Sequence, residues 1–181
     1  MAATVTIRRW TGASGGPTKT DITSINTRAN AEDAHSTAGT TNPIQIPAAG
    51  TNYSFWVATR LSVDVAPSGT INNIKWYTDG ANGFGTGVTC KMNTATTYVQ
   101  ATGTAGTTGD QLTTGAYSTL AGSPTDAFGF TSGSPKSVTG TMTNPSTGDL
   151  GDFVVYQIEV GTTAGPGATP SETFTWKYDE T

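Results

Sequence analysis

Charge is what this sequence has least of. Only 12% of its 181 residues are Asp, Glu, Lys or Arg, and only 34% are hydrophobic, against roughly 25% and about 45–50% in an ordinary globular chain. Nine basic residues against thirteen acidic ones leave a net charge of −4. The basic residues are scattered, Arg8-Arg9 being the one adjacent pair. Nucleic-acid binding needs clustered cations to displace counterions from phosphates, so a phosphate-tracking surface is excluded. Cys90 is alone, which rules out an intrachain disulfide and leaves the redox compartment open. No apolar run is long enough to cross a bilayer as a helix. Met1-Ala2-Ala3-Thr4 leads straight into a strand pattern without a basic n-region and apolar h-region. The expectation is therefore a protein made in the cytoplasm without a secretory signal.

Threonine and glycine fill the gap: about a fifth of the chain is Thr, and Gly contributes 23 residues. Such a composition could mark disorder, but disordered chains are poor in aromatic and β-branched residues. Here four Trp, six Tyr and six Phe fall largely within alternating runs. The organising stretch is 52–79. From Tyr53 to Val65 each odd position is apolar or β-branched, and the even positions are mostly polar, with Trp56 and Ala58 as exceptions. A strand turns successive side chains to opposite faces, so this period of two predicts one buried and one wetter face over about thirteen residues. Ala66-Pro67-Ser68-Gly69 carries turn chemistry. A second run then sets Ile74, Trp76 and Thr78 against Lys75, Tyr77 and Asp79. Two neighbouring strands at the centre of an antiparallel core are expected.

The remaining chain extends this pattern. Strands are expected at Thr4–Trp10, Asp21–Thr27, Val88–Met92, Thr97–Gln100, Ser137–Thr143, Phe153–Val160 and Glu172–Asp179, with a short extended piece at Ile44–Ile46. The last two long runs read as a β-hairpin with a long loop. Asn26–Ala38 is the one place with helix formers enough for a turn or two of helix, but it lacks an apolar stripe. Ala101–Thr114 is a low-complexity Thr/Gly/Ala tract. With the islands Leu112, Tyr117, Leu120, Phe128 and Phe130, it forms a loop-rich excursion over 101–133 pinned to the core. Eight to ten strands separated by turn signals, with little helix, predict a single all-β domain over 1–181, an antiparallel β-sandwich or jelly roll.

Catalytic chemistry finds little support. His35, the one histidine, lies beside Glu32 and Asp33, and neighbours on one polar turn seldom converge as a nucleophile–base–acid or metal site requires. Gly12-Ala13-Ser14-Gly15-Gly16 matches G-x-S-x-G, but Pro17 and a β-type run follow it where a nucleophile elbow needs a helix. Gly83-Phe84-Gly85-Thr86-Gly87 lacks the dinucleotide fingerprint's spacing and reads as a turn. The loops Asp79–Asn82 and Asn144–Asp152 lack the oxygen density of a dedicated calcium site. No catalytic residue, metal ligand or cofactor is expected. Most aromatics occupy the faces a sandwich uses for its core, although exposed ones would stack on sugars. Trp56 stands on the otherwise polar side of its strand, where it covers a second layer, meets a partner subunit or binds a ligand. Trp10, Trp56 and Arg60 are the candidate partner-contact residues.

A weakly charged, Thr/Gly-rich β chain of this size resembles the small virion structural proteins of tailed bacteriophages. The stretches that carry the likeness are Tyr53–Asp64, Ile74-Lys75-Trp76-Tyr77-Thr78-Asp79-Gly80 and the closing Glu172–Thr181. It runs along most of the chain without a diagnostic motif. It departs from the major capsid protein of those phages, since no long spine helix is present. The resemblance implies a β-sandwich or jelly-roll subunit in a virion, seated on the capsid as decoration (cement) or minor capsid protein, or in a tail or fibre. The implied partners are capsid or other virion proteins and further copies of itself, without nucleic acid or membrane. A carbohydrate-binding, lectin-like adhesion module is the alternative. A Thr-rich, low-charge surface independently favours assembly, because interface cores are depleted of charge.

Overall fold

In the computed structural model, residues 2–38, 41–113, 117 and 120–181 are described. The chain is almost entirely β, as its alternation predicts, and its antiparallel sheets pack face to face. In chain order the strands are β1 (Thr4–Thr11), β2 (Thr18–Asp21), β3 (Thr51–Tyr53), β4 (Val57–Val65), β5 (Thr70–Tyr77), β6 (Val88–Ala95), β7 (Gly103–Thr104), β8 (Thr108–Gly109), β9 (Thr125–Asp126), β10 (Lys136–Ser137), β11 (Met142–Thr143), β12 (Gly148–Gly161) and β13 (Thr175–Glu180). One 3-10 turn spans Ala127–Gly129, its first turn capped by the Asp126 carboxylate, which accepts from the Phe128 N–H.

The main sheet runs β2-β1-β4-β12-β6-β9, with β3 also on β12. β3 and β4 are one interrupted strand along β12, meeting it at Tyr53↔Glu159 and Val57↔Tyr156. The interruption has a local cause. The Ser54 Oγ accepts the Ile158 N–H (3.0 Å) in place of a ladder carbonyl, while the Phe55 N–H turns away to Asn30 O (3.0 Å). The second sheet is centred on β5, with β13 along one side and the short β10 and β11 on the other.

Two expectations about neighbours are corrected here. The 53–65 and 70–77 strands do not pair: the turn at Ala66–Gly69 carries the chain from the main sheet to the second, so the two face each other across the core. β12 and β13 likewise form no hairpin, since β12 lies in the main sheet and β13 pairs with β5. Alternation fixes which face is apolar but not which strand lies alongside. Smaller differences follow the same logic. The second strand is Thr18–Asp21, where register with β1 is available (Thr11↔Thr18 to Arg8↔Asp21), rather than 21–27. Residues 26–38 bend without helix, and 97–100 and 44–46 are not strands. The 137–143 run survives only as β10 and β11, with Val138 buried between them and Met142 half-buried.

The main sheet packs on its inner face against the second sheet and on part of its outer face against irregular segments. Its inner face sets Val57, Leu61, Val63, Cys90, Met92, Val154, Tyr156 and Ile158 against Ile71, Ile74 and Trp76 of β5. Phe174 packs edge-on to both Trp76 and Tyr156. Its outer face carries Trp56, Ala58, Ala95, Phe153 and Val155 beneath Ala31, Ala101, Leu112 and Tyr117 from the irregular segments. The excursion over 101–133 is therefore split: Ala101, Leu112, Tyr117 and Leu120 cover the outer face, while β9 joins the main sheet and Phe128 and Phe130 pack in the inner core. This is why β12 carries a continuous apolar run at Phe153–Tyr156: a strand covered on both sides has no wet face. Each large side chain so buried contributes about 1.5–3 kcal/mol.

Candidate contact surface

Away from the excursion the outer face of the main sheet is open, and there two of the three candidate residues meet. Trp10, on β1, packs edge-on to Phe153 of β12 (centroids 4.8 Å, planes at 88°) and against Tyr98 (5.6 Å). Arg60, on β4, sets its guanidinium carbon 4.9 Å from the same Phe153 ring. Phe153 is 1% exposed, so this ring is the buried platform on which an indole and a cation rest. The Lys19 Nζ caps the outer side of the Trp10 ring at 4.1 Å, a geometry in which the ring quadrupole attracts the ammonium. Trp10 Nε1 and Arg60 Nε are buried without an internal hydrogen-bond acceptor.

Two cross-strand ion pairs border this patch. The Arg8 Nη2 meets Asp64 Oδ1 at 2.6 Å, and the Lys19 Nζ meets Asp149 Oδ2 at 2.7 Å. All four side chains are about one-third exposed, so solvent screens the pairs and each contributes little to stability. Together with Ser62 and Gly148 they line an open groove of about 340 Å3. Arg8 and Asp64 occupy outward positions of alternating strands and could have been found from the period of two. Lys19 and Asp149 are 130 residues apart and carry no local signal.

Trp56 belongs elsewhere. It lies on the same sheet face but under the excursion, 2% exposed, with its Nε1–H donated to Val99 O (3.1 Å) and its ring edge-on to Tyr117 (5.5 Å). Of the roles open to it, the structure selects the cover of a second layer. A partner contact at Trp56 is corrected on that ground: Val99 and Tyr117 cover the ring, whereas Asp64 on the same side of the strand stays exposed.

The residues around His35 serve to hold the 27–42 segment on the sheet. Arg9 is buried, and its Nη1 donates to Thr27 Oγ1 (2.7 Å) and Arg28 O (2.5 Å). A guanidinium has no acceptor, so the Thr27 oxygen accepts from Arg9, and its remaining lone pair and its proton both face His35 Nδ1, 3.2 Å away. Burial, and secondarily the Arg9 charge, lower the His35 pKa, while burial raises that of Asp33. Glu32 accepts from Asn42 Nδ2 (2.8 Å) and Asp33 from the Gly12 N–H (2.9 Å). The three polar neighbours thus turn to three different partners. Ser14 of the G-x-S-x-G match lies in the β1–β2 loop, accepts the Gln100 N–H (3.1 Å) and is followed by a strand. Among the described residues no three His, Cys, Asp or Glu side chains gather as metal ligands, and no helix is long and apolar enough to cross a membrane. Burial drives the Cys90 thiol pKa far up, which leaves it unreactive.

Compared with known proteins, the chain matches no protein-family model, no curated protein and no solved structure.

Proposed function

We propose that this chain is a non-enzymatic structural subunit of a virion, of capsid-decoration or minor-capsid type. The observation that carries the reading is how the buried polar side chains are used. Arg9, Asn30, Asn93 and Gln157 each hold loop backbone onto the sandwich: Asn30 donates to Thr41 O, Asn93 to Gly122 O and Ser123 O, and Gln157 to Ser54 O and Asp110 O. Polar groups invested in this way make a rigid body with many loops rather than a reactive cleft. Outside it, exposed threonines such as Thr4, Thr18, Thr89, Thr125 and Thr141 dominate over charge. Surfaces of this kind suit burial against symmetric neighbours, where many copies gain avidity from weak single contacts. The likeness to small phage virion proteins points the same way. The test is co-expression with shell proteins of tailed bacteriophages. Recovery of the chain in the particle fraction at a fixed stoichiometry supports the reading, and particles that assemble and purify without it refute it.

The groove beside Trp10 favours a second reading, a carbohydrate-binding module. Half-buried Trp10 with Arg8, Lys19, Asp64 and Asp149 offers an aromatic edge amid donors and acceptors suited to sugar hydroxyls. Retention on a glycan array that is lost in Trp10→Ala, with the unfolding temperature kept, would raise this reading above the first.

A further inference from the structure

β13, which closes the chain, is an edge strand. Among the described residues β5 is the only strand that pairs with it, so its other side presents unpaired backbone donors and acceptors. Such an edge templates another strand unless something blunts it. A bulge commonly does this, yet the irregularity here lies in the neighbour. Between the Lys177↔Lys75 and Asp179↔Asn72 pairs, β5 advances three residues while β13 advances two. The extra residue sits on β5, where Asn73 takes a left-handed φ of 50°. β13 itself carries no extra residue.

Charge on this strand is unbalanced within the chain and balanced against a copy of itself. Lys177 stands directly opposite Lys75, both on the outward face, and like charges so placed repel. Lys75 turns to Ser137 Oγ (2.9 Å), and neither ion pair among the described residues involves β13. Two residues on, Asp179 is exposed on the same outward face and accepts from Asn73 Nδ2 (2.7 Å). A lone edge lysine opposes self-pairing. Lysine and aspartate flanking a central residue do the reverse: antiparallel pairing about a two-fold axis through Tyr178 sets each Lys177 opposite Asp179 of the other copy. The inward side chains Trp176 and Tyr178 already pack on the core and keep their places.

We propose that β13 is the self-association edge of this protein, joining two copies by antiparallel pairing centred on Tyr178 and extending the second sheet across a two-fold axis. An interface of this type is isologous: the same strand serves both partners. The proposal deepens the assembly reading by naming the surface through which copies join.

Light scattering over a concentration series tests it with three full-length variants. The unaltered chain should show dimeric mass. K177D and D179K, each of which sets like charges opposite one another at both pair positions, should be monomeric with unchanged near-UV dichroism, since both side chains are exposed. K177D/D179K restores opposite charges and should restore the dimer. A monomeric unaltered chain at every concentration, a dimer that survives K177D, or a double variant that stays monomeric while folded would each overturn the proposal. The result is separable from the virion reading: a monomer that still joins particles sinks the edge pairing alone, and a dimer absent from particles sinks the virion role alone.

Discussion

The Leu112 N–H donates to the Gln157 Oε1 at 2.8 Å, joining the loop-rich excursion to the middle of β12. The same amide donates through Nε2 to Ser54 O (2.7 Å) and Asp110 O (2.8 Å), so one buried side chain fixes three backbone groups in two segments. Gln157 is 1% exposed, and each buried group left unpaired costs about 1–3 kcal/mol. Gln157→Ala is expected to lower stability by about 2–4 kcal/mol by that scale. Chemical denaturation measures it, and hydrogen exchange should show the loss of protection concentrated at 110–112 and around Ser54.

Trp56 and Trp10 separate under the same substitution. Trp56→Ala empties a site in the second core and should cost about 3–5 kcal/mol, as large-to-small changes of buried aromatics do. Trp10→Ala removes a half-buried ring from the open part of the same face and should cost clearly less. Equal losses in urea unfolding would mean that the excursion does not roof Trp56 in solution.

Glycine is required where two backbones touch. A Cβ on Gly140 would lie 2.2 Å from the Gly151 Cα, at the point where β12 breaks register between Leu150 and Val154. Neither side can yield as a flexible side chain would. Gly140→Ala should therefore destabilise by about 2 kcal/mol or more, within the range for overpacked sites. Gly165→Ala, with open space around it, serves as the control and should leave the unfolding midpoint unmoved.

Acid should loosen the molecule in two separate windows. The His35 pKa is lowered from 6.5 in the fold, so the unfolded chain binds its proton first. The contribution of neutral His35 is whole above about pH 6.5 and declines as pH falls from there to the lowered value. Protonation also adds a cation near Arg9. Stability measured from pH 7.5 to 5 should fall, and His35→Gln should flatten that fall.

Glu180 acts lower on the scale. Its carboxylate accepts the Ala3 N–H at 3.0 Å on each oxygen and the Ser68 N–H at 3.1 Å, and these bonds hold its pKa below 4.5. Its contribution is present above that ordinary value and is lost as pH drops through the lowered one. Glu180→Gln should reduce the acid-side step in a pH titration of unfolding, leaving the part due to Asp21, whose pKa the Thr23 hydrogen bonds also lower, and the His35 window in place.

Local chemistry in the chain determines its class and its faces. The period of two at 53–65, 74–79, 153–160 and 174–179 gives strands with the right side chains inward, because alternation is a property of one strand alone. Leu112, Tyr117 and Phe128 mark where the excursion is anchored, since isolated large apolar groups in a polar tract have nowhere else to go. Partnership is a different kind of property. That β4 pairs with β1 and β12 while β5 crosses to the other sheet depends on long-range register, which no single strand encodes. Trp56 stands among polar residues in sequence, and only Val99 and Tyr117 packed over it make its position apolar. The patch on Phe153 likewise exists because β1, β4 and β12 lie side by side and bring Trp10 and Arg60 to one ring. Contacts between residues far apart in sequence are set by the packing of whole sheets, so tertiary structure alone decides them.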